Sequence, residues 1–204
     1  MSVLVVEYEE IMQEKNILYI DACVRGRNSR TRFLAEKYLD KLQKSSVNVI
    51  EKIYLDGKKL SVLDGETMAW RDRCIAEKDF SDEYFEYAVK VVTADVLVIA
   101  APYWDLSVPA MLKLIFEHIC INNLTFAYLP DGRVQKLAGI EKVVYITTAG
   151  GFIGENNFGF EYIRGLFKNI FLVDKFEFYS AEGLDLADTD VEKVLADAQS
   201  KFVL

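Results

Sequence analysis

The sequence predicts an α/β protein in which a five-stranded parallel sheet lies between two layers of helices. Two observations predict this class. Apolar, strand-like runs alternate with amphipathic helical stretches, and the strongest run, residues 96–101, is unbroken and contains β-branched residues. Such a run is typical of a strand buried on both faces, as in a parallel sheet covered by helices. Strands that alternate with helices join in parallel through right-handed crossovers.

The individual elements follow from local patterns. Strands are predicted over residues 16–22, 47–55, 96–101, 142–148 and 175–179. The first helix follows the first strand and places Phe33, Leu34, Tyr38 and Leu42 on one face. Further helices are predicted over residues 65–77, 81–93, 160–171 and 189–202, and from about Ser107. Residues 122–139 favour a hairpin, because Asp131-Gly132 separates two strand-like runs. Together these elements fit a flavodoxin-like three-layer sandwich with strand order 2-1-3-4-5.

Length, charge and composition limit the function classes. The 204 residues predict one flavodoxin-like domain over residues 16–204, preceded by an extension of unknown role over residues 1–15. Within that extension, residues 2–6 could form a strand and residues 9–15 a helical turn. A net charge of -8 argues against a nucleic-acid partner. No apolar run approaches the ~20 residues of a membrane span, so no membrane partner is expected.

The cysteines and the histidine predict no metal site. The sequence has 3 Cys residues, none of them in a CxxC pair, and 1 His residue, His118. Reduced thiols in a cytoplasmic protein are the simplest interpretation, and the acidic amino end lacks the basic leader of a secretory signal. His118 is expected to be structural. A Ser/His/Asp set, a P-loop motif and a GxGxxG motif cannot be found.

The loop after the third strand is the first candidate binding element. It contains Pro102, Tyr103, Trp104 and Asp105 at the carboxyl end of the strand, where ligands bind in open α/β sheets. The alternative is that both rings are ordinary core packing. Ser107 is expected to cap the helix that follows, with Pro109 in its first turn.

The loop after the first strand is rich in cations. Arg25, Arg27, Arg30 and Arg32 lie at or before the start of a helix, where positive charge opposes the helix dipole. This placement predicts an anion, with short polar donors and free backbone N–H groups suited to phosphate; the short donors are Asn28, Ser29 and Thr31. The alternative is that the arginines pair with nearby acids such as Glu36. Cys23 could be a reactive thiol, although a packing or phosphate-loop role is favoured.

The loop after the fourth strand completes the predicted crevice. Its adjacent residues Gly150 and Gly151 allow positive φ and a close approach of the backbone to a flat ligand. A plain turn is the alternative. Three loops at one sheet edge predict a phosphate socket with walls for a planar ring. This geometry fits flavin mononucleotide, FMN, although other nucleotides could also fit.

Several stretches resemble the FMN-dependent NADH:azoreductase and NAD(P)H:quinone oxidoreductase family. They are residues 18–34, 100–113, 124–128, 147–151 and 181–183, in the order expected. The resemblance implies a homodimer with an active site at each subunit junction. It also implies that FMN takes a hydride from NADH or NADPH and reduces a quinone, an azo dye or a similar small-molecule acceptor.

The resemblance also assigns residues. Cys23, Ser29 and Thr31 would surround the phosphate, residues 102–105 would line the isoalloxazine, and residues 148–151 would close its other edge. Two sites depart from the usual pattern: Cys23 replaces a serine, and Phe152-Ile153-Gly154 is the stretch where several members have a histidine. The resulting predictions form two sets. The expected cofactor-binding residues are Cys23, Arg25, Ser29, Arg30, Thr31, Pro102, Tyr103, Trp104, Asp105, Thr148, Ala149, Gly150 and Gly151.

The second set lines the acceptor pocket and comprises Phe126, Tyr128 and Phe152. No side chain is expected to be catalytic, because the flavin carries the redox chemistry. The alternative function is a flavodoxin-type electron carrier, which binds FMN but has no substrate pocket. The hairpin at residues 122–139 disfavours that alternative because it could cover a substrate site. A protein that keeps only the fold and binds no flavin is a third option.

Overall fold

The computed structural model describes residues 14–45 and 47–203. The strand predicted over residues 2–6 lies outside the described residues, as do residues 9–13 of the predicted helical turn. The last residue of that turn, Lys15, begins the first strand. The strands are β1 (Lys15–Asp21), β2 (Asn48–Tyr54), β3 (Val96–Ala100), β4 (Phe126–Tyr128), β5 (Val134–Lys136), β6 (Lys142–Thr148) and β7 (Lys175–Ala181).

Six α-helices occur in the described part of the chain. They are α1 (Arg30–Ser45), α2 (Gly65–Glu77), α3 (Glu86–Thr93), α4 (Ala110–Ile119), α5 (Phe158–Ile170) and α6 (Val191–Ser200). None of them is both long enough and apolar enough to span a membrane.

The main sheet is parallel throughout and has the order β2-β1-β3-β6-β7. Counted within this sheet alone, that is the predicted order 2-1-3-4-5, so the predicted fold is confirmed. Asp21 pairs with Ala100, and Ala100 pairs with Ile146. The carboxyl ends of the three central strands therefore lie side by side, and the loops that follow them meet at one edge.

Apolar clusters on the two faces of the sheet produce the three layers. One cluster contains Leu34 and Leu39 of α1 together with Leu195 of α6. The other contains Leu112 of α4 and Ile163 of α5. The middle strand β3 is buried on both faces, as its unbroken apolar run predicts.

Three local predictions about helices are wrong. Phe33 is 44% exposed, whereas Leu34, Tyr38 and Leu42 are buried as expected. The helix predicted over residues 81–93 begins as a 3₁₀ turn at Glu83–Phe85, where the Asp82 carboxylate accepts from the N–H of Tyr84. The third concerns the start of α4.

Ser107 does not cap α4, which begins at Ala110 directly after Pro109. The backbone of Ser107 is instead paired with Trp104 on both sides: the N–H of Ser107 donates to the Trp104 carbonyl, and the N–H of Trp104 donates to the Ser107 carbonyl. The predicted hairpin does form. Its strands β4 and β5 pair in antiparallel fashion, and Gly132 adopts a φ of +84° in the turn between them.

Candidate functional site

A crevice of about 350 Å³ opens at the carboxyl edge of the sheet. The loops after β1, β3 and β6 line it, as does the loop after β7. Most of the predicted cofactor residues lie in its wall, namely Cys23, Arg25, Ser29, Arg30, Thr31, Pro102, Tyr103, Trp104, Asp105, Thr148 and Gly150. The remaining lining residues are Val24, Asn28 and Asp185. Ala149 and Gly151 are absent from the wall, and their backbones instead hold the β7 loop in place.

The start of α1 presents free backbone donors to the crevice. Ser29 caps the helix, because its Oγ accepts from the N–H of Arg32 at 3.3 Å and its carbonyl accepts from the N–H of Phe33 at 3.1 Å. Among the described residues, the N–H groups of Arg30 and Thr31 have no acceptor. Free N–H groups at the start of a helix form a site for an anion.

The arginines of this loop differ in their partners. Arg32 is buried and ion-paired with Asp21 and Asp56, so the expectation that it faces an anion is wrong. Arg30 lines the crevice but donates to the Leu184 carbonyl at 2.9 Å and to Asp185 at 2.7 Å. Arg30 and Arg32 therefore pair with acids, as the alternative in the sequence analysis predicted, although the acids are not Glu36.

Arg25 and Arg27 are exposed, and neither forms an ion pair with a residue that the structure describes. Only Arg25 of these two lines the crevice. It is therefore the cation of the crevice wall whose charge no described carboxylate neutralises.

The loop after β3 is held in a strained turn. Asp105 and Leu106 have φ values of +49° and +64°, in a region that favours glycine, between the two backbone hydrogen bonds that join Trp104 to Ser107. Their N–H groups have no acceptor among the described residues. Trp104 is 38% exposed, and the Tyr103 hydroxyl donates to the Asn156 carbonyl at 2.7 Å. The two rings are therefore not ordinary core packing.

The glycines after β6 do not adopt the positive φ that the sequence analysis considered. Neither Gly150 nor Gly151 has a positive φ. A Cβ on Gly150 would overlap Oδ2 of Asp185, so a side chain there would displace the Asp185 carboxylate. The N–H groups of Gly183, Leu184 and Asp185 donate to the carbonyls of Gly151, Ala149 and Gly150. These bonds hold the β7 loop against the crevice.

The hydroxyls of Thr31 and Thr148 are 2.6 Å apart. This contact joins α1 to the end of β6 and fixes the spacing of two crevice walls. Asp185 is the crevice residue that the sequence analysis missed. A signal for it existed, because Asp185 follows the fifth strand of a parallel sheet, whose carboxyl end lies at the same edge.

The surroundings of Cys23 favour a packing or phosphate-loop role over a reactive one. It is buried, and its Sγ lies 3.7 Å from the Ala100 carbonyl. Burial raises the pKa of its thiol strongly, and the nearby Asp21 carboxylate raises that pKa further. His118 is also structural: it is buried, with Nε2 2.9 Å from the Ser61 carbonyl. The described residues contain no cluster of metal-binding side chains.

The predicted acceptor residues do not line this crevice in a single chain. Phe126 is buried and packs edge-on against Tyr128, at 5.4 Å between ring centroids. Tyr128 is 59% exposed and Phe152 is 75% exposed. These two rings lie on the surface, where a second molecule could cover them.

The fold and the crevice define a flavodoxin-like protein whose site suits a ligand with an anionic end. Residues 15–203 match the family described as flavodoxin-like fold. An FMN-dependent NADH:quinone oxidoreductase 2 of Clostridium acetobutylicum is 32% identical over 192 residues, which cover 91% of this chain and 94% of that protein. An FMN-dependent NADH:quinone oxidoreductase of Coprothermobacter proteolyticus is 30% identical over 195 residues, with coverage of 91% and 94%.

The fold also matches solved structures. An azoreductase from Bacillus anthracis superposes with a TM-score of 0.77 at 19% identity, covering 91% of this chain and 95% of that one. An FMN-dependent NADH-azoreductase from the same species, in complex with FMN, gives a TM-score of 0.72 at 19% identity, with coverage of 92% and 95%. The chain belongs to the flavodoxin-like-fold family and, within it, to the family of the FMN-dependent NADH:quinone oxidoreductases. The resemblance stated from the sequence is confirmed.

Proposed function

We propose that this protein is an FMN-dependent oxidoreductase that passes a hydride from NADH to a quinone, an azo compound or a similar acceptor. The observation that carries the proposal is the relationship to the NADH:quinone oxidoreductases, which extends over 91% of the chain and includes every loop of the crevice. The donor is NADH, the nucleotide named for those relatives.

The crevice residues fit FMN. The volume of the crevice, about 350 Å³, lies within the ~300–1,000 Å³ typical of ligand pockets. The free N–H groups of Arg30 and Thr31 and the unpaired charge of Arg25 suit a terminal phosphate. The rings of Tyr103 and Trp104 and the free N–H group of Asp105 suit the edge and face of a flat, polar ring system.

Bound FMN would supply the two-electron chemistry, taking a hydride from NADH and delivering it, with a proton from solvent, to the acceptor. The residues of this chain bind and orient. The start of α1 and Arg25 would fix one end of the cofactor, while Asp105, held in the turn after β3, offers a free N–H group to the other. Asp185 and Gly150 together close the wall beside β6.

The acceptor site needs a second subunit in this proposal. Phe126 and Tyr128 lie on the hairpin, and the exposed rings of Tyr128 and Phe152 leave apolar surface that requires cover. A two-fold dimer, the commonest oligomer type, provides that cover and brings hairpin residues of one subunit near the crevice of the other. We place the enzyme in the cytoplasm, where the free thiols of Cys23, Cys74 and Cys120 stay reduced.

One purification tests the class of protein. The purified protein should be yellow, or become so with added FMN, and should oxidise NADH in steady state when a soluble quinone such as menadione is present. A protein that binds FMN but oxidises NADH no faster than free FMN would be an electron carrier, the alternative function. A protein that binds no flavin after reconstitution would contradict both. Sedimentation at micromolar concentration tests the dimer, and a fully active monomer would contradict the shared acceptor site.

A further inference from the structure

We propose that Arg32 is a positioning residue, which holds the loop over residues 23–29 in the shape that a bound phosphate requires. The inference rests on the proposed function, because the phosphate in question is that of FMN. The observation behind it is a chain of charged side chains beneath the loop, formed by Asp21, Arg32 and Asp56.

Asp21 fixes the direction in which the chain leaves β1. Its carboxylate is fully buried, and Oδ1 accepts from the N–H of Cys23 at 2.8 Å. Oδ2 accepts from Nε of Arg32 at 2.5 Å and from the Tyr19 hydroxyl at 2.9 Å. Both carboxylate oxygens therefore have partners, and one of these partners is the first amide of the loop.

Arg32 joins that carboxylate to the loop after β2. Its Nη2 donates to Asp56 at 2.9 Å, and its guanidinium lies 4.8 Å from the centroid of the Tyr54 ring. The loop rests on this pair at Gly26, where a Cβ would lie 3.2 Å from Asp56 Oδ2 and 3.8 Å from Arg32 Nη1. Gly26 also has a φ of +56°, so a side chain there would be strained as well as crowded.

The charge of this cluster cannot be what attracts an anion. Asp21, Arg32 and Asp56 together carry two negative charges and one positive charge, and none of the three lines the crevice. A buried ion pair is also weak evidence for stability, since apolar residues of similar size often replace one without loss. The cluster therefore acts through geometry, by fixing the loop that ends at the helix cap Ser29 and the free N–H groups of Arg30 and Thr31.

An arginine is needed because two carboxylates must be reached at once. Its planar fork donates from Nε to one and from Nη2 to the other, whereas a lysine offers one compact ammonium. Arg32→Lys therefore keeps the charge and removes the bridge. Arg164→Lys is the matched control: Arg164 is exposed on α5 and has one partner, Glu161, at 3.7 Å.

The experiment compares FMN with riboflavin, which has the same ring system and ribityl chain but no phosphate. Flavin fluorescence titrations of the flavin-free protein give both dissociation constants. We expect Arg32→Lys to weaken FMN binding about tenfold, as the loss of one charge-assisted contact would, with riboflavin binding changed by less than about twofold. Arg164→Lys should leave both constants unchanged. An equal loss for both flavins, or no loss for FMN, would overturn the proposal.

A second readout does not depend on flavin. In the flavin-free protein, hydrogen exchange in residues 22–32 should be faster for Arg32→Lys than for the wild type, and unchanged exchange there would overturn the proposal. If Arg32→Lys does not fold, Asp56→Asn serves instead, since it retains the Asp21–Arg32 pair and should shift both readouts in the same direction by less. A wild-type protein that binds neither flavin would remove the proposed function, while the exchange data still decide whether Arg32 orders the loop.

Discussion

Arg25→Gln should weaken FMN binding through one lost contact, and Arg27→Gln should not. Both side chains are exposed and neither has a described carboxylate partner, but only Arg25 lines the crevice. The two substitutions change the net charge of -8 equally, to -9. Their long-range effects on an approaching anion are therefore matched, and the difference between them measures the local contact.

The expected loss of FMN binding energy in Arg25→Gln follows from the exposure of Arg25. A charge-assisted hydrogen bond contributes roughly 1.5–3 kcal/mol when protected from solvent. Because Arg25 is exposed, solvent screening lowers its contribution to about 1 kcal/mol, which is roughly a fivefold rise in the dissociation constant. Riboflavin, which has no phosphate, should bind equally well to both variants and to the wild type.

Fluorescence titration of the flavin-free proteins at two salt concentrations is the assay. At about 0.15 M salt the Debye length is about 8 Å, so the long-range attraction of the anion, which both substitutions reduce equally, becomes weaker. The difference in FMN affinity between the two variants, which reports the direct contact of Arg25, should persist. Equal weakening by both substitutions would mean that only net charge matters. No weakening by Arg25→Gln would mean that the phosphate lies away from Arg25, and the assignment of this end of the crevice would be wrong.

Three further predictions concern the turn, the thiol and the hairpin. Leu106→Gly should raise the free energy of unfolding by roughly 0.5–1 kcal/mol, since a left-handed leucine costs about 1–2 kcal/mol and glycine returns part of this as entropy. Leu186→Gly is the control, because Leu186 is also exposed but has an ordinary φ, and it should lower the free energy of unfolding in denaturant titrations. A higher free energy of unfolding in both variants would contradict the strain proposed at Leu106. Cys23 should resist alkylation in the folded protein at pH 8, because its raised pKa keeps the thiol protonated, and mass spectrometry showing rapid modification there would contradict its burial. Tyr128→Ala should change the KM for the quinone and leave flavin content unchanged, and unaltered acceptor kinetics would separate the hairpin from the acceptor site.

The sequence predicts most of the fold because its strongest patterns agree with the tertiary structure. The run in β3 is apolar on both faces and is buried on both, and α2 and β6 have their predicted limits. The errors occur where a residue's local preference is overridden by contacts with other parts of the chain. Ser107 is a good cap by residue type, but its backbone closes the turn at Trp104, so the helix begins later.

The sequence predicted which loops form the candidate site, but not which acids pair with its arginines. Residue type and position indicate that the loops after β1, β3 and β6 meet, and they line one crevice. Which arginines have their charge neutralised depends on acids far along the chain: Asp56 for Arg32 and Asp185 for Arg30. Spacing within the loop cannot reveal such pairs. The carboxyl-edge position of both acids, each just after a parallel strand, is the sequence feature that could have suggested them.

Pairing also changes the physical explanation of anion binding at this site. Four clustered arginines suggest recognition by net positive charge, but Asp185 offsets Arg30, and two carboxylates outweigh Arg32. The crevice is left with the free N–H groups at the start of α1 and the charge of Arg25. Backbone donors keep their direction only if the loop before them is fixed, and the Asp21–Arg32–Asp56 cluster fixes it from below. We therefore infer that Arg32 serves anion binding by holding two carboxylates, and that selectivity for a phosphate would come from the geometry of the loop more than from its charge.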